Sequence, residues 1–206
     1  MTDRQAHWQG VYTEKEVNQV GWYADHLKTS LEWIDELGAE ITQPFIDVGG
    51  GASTLVDDLL EKDYQDITVL DLSAKALEVV RTRLGSRAHG VAWIDGDITR
   101  VNLPTDHFRL WHDRAAFHFL IEPEQRLEYR ERLLQSLRAG GYLLMGVFEL
   151  QAPPQCSGLP VQRYSAESLA AEFGDSFQLC KTQKEIHVTP SGFEQAYVYC
   201  LFERVG

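Results

Sequence analysis

The sequence predicts an α/β chain: a seven-stranded, mostly parallel sheet with helices on both faces and an antiparallel hairpin at its C-terminal end. Three observations lead there. Strand-like and helix-like segments alternate through the first two thirds of the 206 residues, the pattern of parallel strands joined by right-handed crossovers. The strand-like runs are continuously apolar rather than alternating, as strands buried on both faces are. The last two strand-like runs are joined by the short turn Thr189-Pro190-Ser191-Gly192, so they must be antiparallel to each other.

The elements follow in order. Residues 1–20 are polar with isolated aromatics, Trp8 and Tyr12, and read as an irregular or partly helical lead-in. From Trp22 to Leu37 the apolar positions Tyr23, Leu27, Leu31, Ile34 and Leu37 recur at helical spacing, with Gly38 as C-cap. Pro44 ends that helix and opens the first strand, FIDVGGG, and a helix follows over Ser53–Glu61. ITVLDLS is the second strand, followed by a helix over Ser73–Leu84 that stops at Gly85; VAWID is the third strand and FRLWHDR the fourth. A long amphipathic helix spans Glu124–Leu137 and stops at Ala139-Gly140-Gly141, before the fifth strand, YLLMGVFEL. Gln151–Gly158 is a loop rich in proline and small residues, and Ser165 caps a short helix running to Phe173. Two strands close the chain, at about Phe177–Val188 and Gln195–Glu203.

Length and composition bound the reading. A chain of 206 residues fits one domain, divided into an N-terminal helical lid segment (1–40), a ligand-binding core (41–150) and a loop with the final antiparallel strands (151–206). A hydrophobic fraction of 44% with 24% charged residues excludes wholesale disorder. The formal charge of −12 repels a phosphate backbone, and the basic stretch from Arg126 to Arg138 is interleaved with Glu128 and Glu131, so no nucleic-acid partner is expected. The three cysteines, Cys156, Cys180 and Cys200, make neither a disulfide framework nor a metal motif, and no metal is expected. No apolar leader and no run of 18 apolar residues is present, so the expectation is a cytoplasmic chain with no membrane partner. The sequence does not set the oligomeric state.

Chemistry gathers at the strand ends. Asp47-Val48-Gly49-Gly50-Gly51-Ala52-Ser53 follows a strand and precedes a helix, where glycines let the backbone bend tightly against a ligand. Asp71 ends the second strand, 24 positions after Asp47, and a carboxylate there suits the two hydroxyls of a ribose. Asp97, after the third strand in IDGDI, is placed to accept from an adenine amino group with Ile98 beside the base. Asp47, Asp71 and Asp97 stand at successive strand ends, the edge at which open α/β sheets bind ligands. The third glycine of a dinucleotide fingerprint is missing, and no Lys or Arg sits near the turn to meet a phosphate.

DVGGGAS, VLDLS, GDI and RAGGYLLM, in that order, resemble the motifs of the Rossmann-like class I S-adenosylmethionine-dependent methyltransferases over about residues 40–150. The resemblance implies an enzyme that binds S-adenosyl-L-methionine and releases S-adenosyl-L-homocysteine. It implies that Gly49 and Gly51 lie at the cofactor's amino-acid part, that Asp71 holds the ribose and that Asp97 with Ile98 frames the adenine, with Asp47 and Leu72 as further cofactor-binding candidates. It also sets the loop Trp111–Phe119 beside the reactive methyl group, with His112 against the cofactor. The N-terminal pieces HWQGVY and GWY are similar to lead-ins of tellurite-resistance and elongation-factor lysine methyltransferases.

An acceptor protonated at neutral pH needs a base, and His112, Asp113 and His118 are the candidates. Asp113 and Arg114 also suit a structural ion pair, and His118, between Phe117 and Phe119, suits a core position. Aromatic faces cradle cations, which makes Tyr12 and Trp22 cofactor candidates and Trp8 and Tyr23 acceptor candidates. Cys156 and Arg163, in the loop after the fifth strand, are further acceptor-binding candidates, Arg163 for an acidic group. The expected acceptor is a small molecule; a protein lysine is the alternative, and a non-catalytic cofactor-binding protein is a third reading.

Overall fold

The structure, a computed structural model, describes residues 3–14, 16–38 and 42–206. Helices α1 (Asp3–Glu14) and α2 (Lys28–Glu36) precede the alternating region. That region runs β1 (Phe45–Val48), α3 (Leu55–Glu61), β2 (Ile67–Asp71), α4 (Ala74–Leu84), β3 (Val91–Asp95), β4 (Phe108–Arg114), α5 (Pro123–Ser136) and β5 (Leu137–Phe148). A two-residue hairpin follows, β6 (Gln155–Cys156) with β7 (Leu159–Pro160), then α6 (Ala166–Phe173), β8 (Phe177–Val188) and β9 (Glu194–Arg204).

The main sheet has seven strands in the order β3-β2-β1-β4-β5-β9-β8. β1 pairs in parallel with both β2 and β4, β4 in parallel with β5, while β9 is antiparallel to β5 and to β8. The expected sheet of seven mostly parallel strands with an antiparallel C-terminal hairpin is therefore present. The chain builds outward from β1 in one direction as far as β3, then crosses to β4 and builds the other way. That reversal opens a crevice at the carboxyl ends of β1 and β4, where loops after neighbouring strands diverge.

The strands are buried as their apolar runs require: every residue of β1 and β2 is buried. Neighbouring positions serve opposite layers. Phe45 packs with Trp33, Leu77 and Tyr199 on one face, whereas Ile46 belongs with Trp111, Tyr129 and Phe202 on the other. Ser73 caps α4 by accepting from Ala76 N at 3.2 Å, and Ser165 with Ser168 forms a capping box on α6.

Several boundaries differ from expectation. The lead-in is a regular helix for twelve residues, α1. The helix expected from Trp22 begins only at Lys28, because the backbone before it is drawn into tertiary bonds: Trp22 O accepts from Arg114 and Ala24 O from Thr54. The helix expected from Ser53 begins at Leu55, with Ser53 Oγ instead accepting from Leu55 N. Helix α5 stops at Ser136, and β5 starts at once, taking Gly140-Gly141 into the strand. Gly140 has φ +70°, and a Cβ on Gly141 would sit 2.7 Å from Arg138 O, so the irregular start of β5 needs this pair. The division expected at residues 40 and 41 lies outside the described residues. Among the described residues no helix is long and apolar enough to cross a membrane.

Candidate active site

The crevice holds a cavity walled by the glycine turn after β1, the ends of β2 and β4, the segment Gly96–Ile98 and helix α1. Its shape begins with the glycines. Gly49 has φ +75°, and a Cβ there would meet the Ala116 Cβ at 2.5 Å; a Cβ on Gly51 would lie 2.6 Å from the Asp71 carboxyl group. The turn can thus pack against both neighbouring strand ends only without side chains.

Asp71 is held from two sides, with Oδ2 accepting from Gly51 N at 3.0 Å and Oδ1 from Ser73 N at 2.7 Å. Burial pushes its pKa up to about 6, and Asp47 and Asp95 add to the rise while the two backbone N–H groups oppose it. Asp71 and Leu72 both line the cavity. Asp97 binds its own turn, with Oδ1 accepting from Thr99 N and Thr99 Oγ1, and its Oδ2 pairs with Arg4 at 3.0 Å. Ile98 lies beside it in the wall.

A recess continues from the cavity past Gly49, lined also by Asp47, His112 and Tyr23. His112 Nδ1 lies 2.7 Å from Asp47 Oδ1, and its Nε2 lies 2.9 Å from Ser30 Oγ. Asp47 Oδ2 is buried without a hydrogen-bond partner among the described residues. An orphaned buried carboxylate oxygen is costly in an empty cleft. It fits the ammonium of an α-amino acid, and so the residues present fit the amino-acid part of S-adenosylmethionine.

Helix α1 roofs the cavity. Gln9 Oε1 accepts from Ser73 Oγ and Lys75 N, and Arg4 reaches Asp97. Trp8, Tyr12, Trp22 and Phe119 form one aromatic cluster with ring centroids 5.0 to 6.4 Å apart. All four line the cavity, so these sequence candidates, with Phe119 added, converge.

The three candidate bases do not converge. The Asp113 carboxylate accepts from Ala116 N, Phe117 N and Tyr129 Oη, and so fastens the turn Phe117–Phe119 instead of facing the cavity. Burial raises its pKa to about 6 against those bonds. His118 Nδ1 accepts from Phe148 N at 3.2 Å, and burial, with Arg114 nearby, lowers its pKa to about 3. It is a neutral core side chain. His112 reaches the recess only, clasped between Ser30 and Asp47. Neither Asp113 nor His118 is part of the cavity wall.

The expected Asp113–Arg114 ion pair is not formed. Arg114 turns the other way, donating from Nε to Tyr199 Oη at 2.8 Å and from Nη1 to Trp22 O at 2.9 Å, with its guanidinium 4.7 Å from the Tyr197 ring centroid. It lines both the cavity and the recess. Sequence reasoning missed Arg114 as a cleft residue, although its position at the end of β4 was the available signal; Arg4 and Ser30 carried none.

Cys156 and Arg163 lie outside the cavity wall. Cys156 is buried in the β6–β7 hairpin, and burial pushes its thiol up to about 11. Arg163 donates to Leu150 O and Ala152 O, tying the loop to itself. Arg163 thus spends its hydrogen bonds within the loop, while Cys156 stands close enough to Arg114 for the guanidinium to act on its thiol. Among the described residues no three His, Cys, Asp or Glu side chains gather to hold a metal ion.

Comparison with known proteins gives a matching family model, described as a methyltransferase domain, over residues 45–141. Malonyl-[acyl-carrier protein] O-methyltransferase of Paenibacillus sp. (strain JDR-2) is 29% identical over 177 residues, covering 74% of this chain and 63% of that protein. The eEF1A lysine and N-terminal methyltransferase of Mus musculus is 24% identical over 127 residues, covering 61% of this chain and 18% of that protein. This chain spans less than two thirds of the length of either relative. The solved Burkholderia thailandensis 1,6-didemethyltoxoflavin-N1-methyltransferase, with bound 1,6-didemethyltoxoflavin and S-adenosylhomocysteine, superposes with a TM-score of 0.67 at 17% identity. That match covers 98% of this chain and 84% of that one, and it shows a shared fold.

Proposed function

We propose that this chain, which carries a class I S-adenosylmethionine-dependent methyltransferase domain, transfers a methyl group to a small-molecule acceptor enclosed in the cleft beneath α1. The observation that carries the small-molecule reading is the roof: Arg4, Trp8 and Tyr12 of α1 lie in the cavity wall, so the space is covered by the chain's own helix. A lysine on a folded partner would have to displace that cover.

Asp47 with its free oxygen takes the cofactor's ammonium, Gly49 and Gly51 leave room for its amino-acid part, Asp71 and Leu72 hold the ribose, and Asp97 and Ile98 frame the adenine. When bound, S-adenosylmethionine supplies a methyl group made electrophilic by its sulfonium centre. The protein's part is alignment and exclusion of water, since in-line displacement gains much of its rate from orientation. The aromatic cluster does the excluding, and Tyr12 and Trp22 offer ring faces to a cation.

The relatives named above include one that methylates an oxygen of a malonyl group and one that methylates lysine and an N-terminus. The deciding experiment incubates the chain with S-adenosylmethionine labelled in its methyl group and cell extract separated by size. Label in the small-molecule fraction, dependent on the protein, supports the proposal. Label in a protease-sensitive macromolecular fraction replaces it with protein methylation. Binding of S-adenosylhomocysteine with no transfer to any fraction leaves a non-catalytic binding protein.

A further inference from the structure

Arg114 is a buried cation whose hydrogen-bond partners are both neutral. Its side chain is only 9% exposed, yet among the described residues no carboxylate lies within ion-pair distance of it. Its bonds go to the Tyr199 phenol and the Trp22 backbone carbonyl, and the Tyr197 ring lies under the guanidinium. The carboxylate that does act on it, Glu185, does so from beyond ion-pair distance, so the desolvated guanidinium has no directly paired anion. Burial disfavours the charge, yet Tyr199 and Tyr197 hold its pKa above even the ordinary arginine value, so it stays cationic.

A second observation concerns the base. An amine or alcohol acceptor must give up a proton, but the cavity wall supplies no free base for it among the described residues. Its two carboxylates are engaged, Asp71 with Gly51 and Ser73, Asp97 with Arg4 and Thr99. Asp113 and His118 are turned into the core. An acceptor already ionised at neutral pH needs no base.

We propose that Arg114 anchors a carboxylate of the methyl acceptor, and that the reaction is carboxyl O-methylation. This rests on the transferase reading above and narrows its acceptor. One carboxylate oxygen accepts from the guanidinium, whose planar fork suits that group. The other forms a bond to the methyl carbon as the carbon–sulfur bond breaks, and the electron pair of that bond stays on sulfur. The sulfonium becomes a thioether, the carboxylate a neutral methyl ester, and no proton moves. The ester has lost the charge that Arg114 holds, which favours its release.

The test begins with the methyl-labelled product. Alkali releases volatile labelled methanol from a methyl ester and leaves N-, S- or C-methyl products untouched. Volatile label is the expected result. Alkali-stable label overturns carboxyl methylation while methyl transfer stands, and absence of any transfer takes down both readings. Calorimetry with S-adenosylhomocysteine gives the second readout. Arg114→Lys and Arg114→Gln are expected to bind it within about twofold of the unaltered protein, while ester formation falls at least tenfold in Arg114→Gln, the 1.4 kcal/mol equivalent of that ratio. A tenfold loss of S-adenosylhomocysteine affinity would instead assign Arg114 to the cofactor's own carboxylate and overturn the proposal. Arg114→Lys keeps the charge but loses the planar fork, and serves if Arg114→Gln does not fold. Its expected effect is a several-fold rise in acceptor KM with kcat held, and an unchanged KM counts against the anchor.

Discussion

His112 Nδ1 lies 2.7 Å from Asp47 Oδ1, and this bond fixes which carboxylate oxygen is left for a ligand. The strands make the contact inevitable, since Asp47 on β1 and His112 on β4 are directly paired in register. Ser30 on α2 completes the clasp at Nε2. His112 is thus a positioning residue for Asp47. His112→Ala is expected to weaken S-adenosylhomocysteine binding by about tenfold, in line with the roughly 1–3 kcal/mol of an unsatisfied buried polar group. His112→Asn, whose amide can stand where Nδ1 does, is expected to recover most of it in the same titration. Equal losses in both variants would remove the positioning role.

Asp71 gives a pH dependence with a definite sign. Its pKa is raised to about 6 in the free protein, chiefly by burial. Ribose hydroxyls donating to the carboxylate favour the ionised form, so binding releases a proton between the complexed and free pKa values. Affinity for S-adenosylhomocysteine should therefore rise with pH through about 6 and level off above 7. Asp71→Asn should bind at least tenfold more weakly with that slope gone. A slope retained in the variant would assign it to another group.

The Gly51 position tests the close approach. Gly51→Ala sets a methyl 2.6 Å from both the Ala76 Cβ and the Asp71 carboxyl group, neither of which is the far end of a flexible chain. Overpacking of this kind costs about 1–3 kcal/mol. Denaturant titration should show that loss, and cofactor affinity should fall with it because Asp71 is displaced. Gly90→Ala, with nothing near the new methyl group and no positive φ, is the matched control expected to change neither.

The roof should respond weakly to loss of its ion pair. Arg4 and Asp97 are 21% and 15% exposed as side chains and meet at 3.0 Å, but Gln9 and the aromatic cluster also hold α1. A partly exposed pair of this kind is worth under about 1 kcal/mol. Arg4→Ala should speed release of S-adenosylhomocysteine by no more than about fivefold, with faster amide exchange confined to α1. Global loss of exchange protection would mean that the helix does more than cover the cleft.

How much of this was legible in the sequence depended on whether a residue acts locally or through tertiary partners. The seven mostly parallel strands, the antiparallel C-terminal hairpin and the ligand-facing edge followed from apolar runs and glycine turns, since burial of a parallel strand and a tight strand–helix turn are each written in a few adjacent residues. Asp71 and Asp97 lie in the cavity wall because they end strands, a purely sequential property. The roles of Asp113, Arg114 and His118 were not readable. A side chain at the end of β4 can face the cleft or the core, and what decides is Tyr129 on α5, Tyr199 on β9 and Phe148 N on β5. The contacts of Arg163 were unreadable for a similar reason: the loop after β5 folds on itself, and its own carbonyls capture the arginine.

The last prediction separates core from chemistry at the end of β4. Three donors point at the Asp113 carboxylate, two of them backbone N–H groups of the turn Phe117–Phe119 and its approach. Asp113→Ala leaves all three without a partner, so unfolding stability should drop by at least about 2 kcal/mol. His118 has its pKa lowered to about 3, below the unfolded value near 6.5, so it is neutral in the fold throughout the range in which enzymes are assayed. The stability tied to that neutral form is complete above pH 6.5 and is lost as pH falls from there towards 3. His118→Asn keeps an acceptor for Phe148 N and cannot serve as a base. Its kcat at saturating cofactor should stay within about threefold of the unaltered protein from pH 6 to 9. A rate limb near neutral pH that vanishes in this variant would restore His118 to the chemistry, and with it an acceptor that must lose a proton.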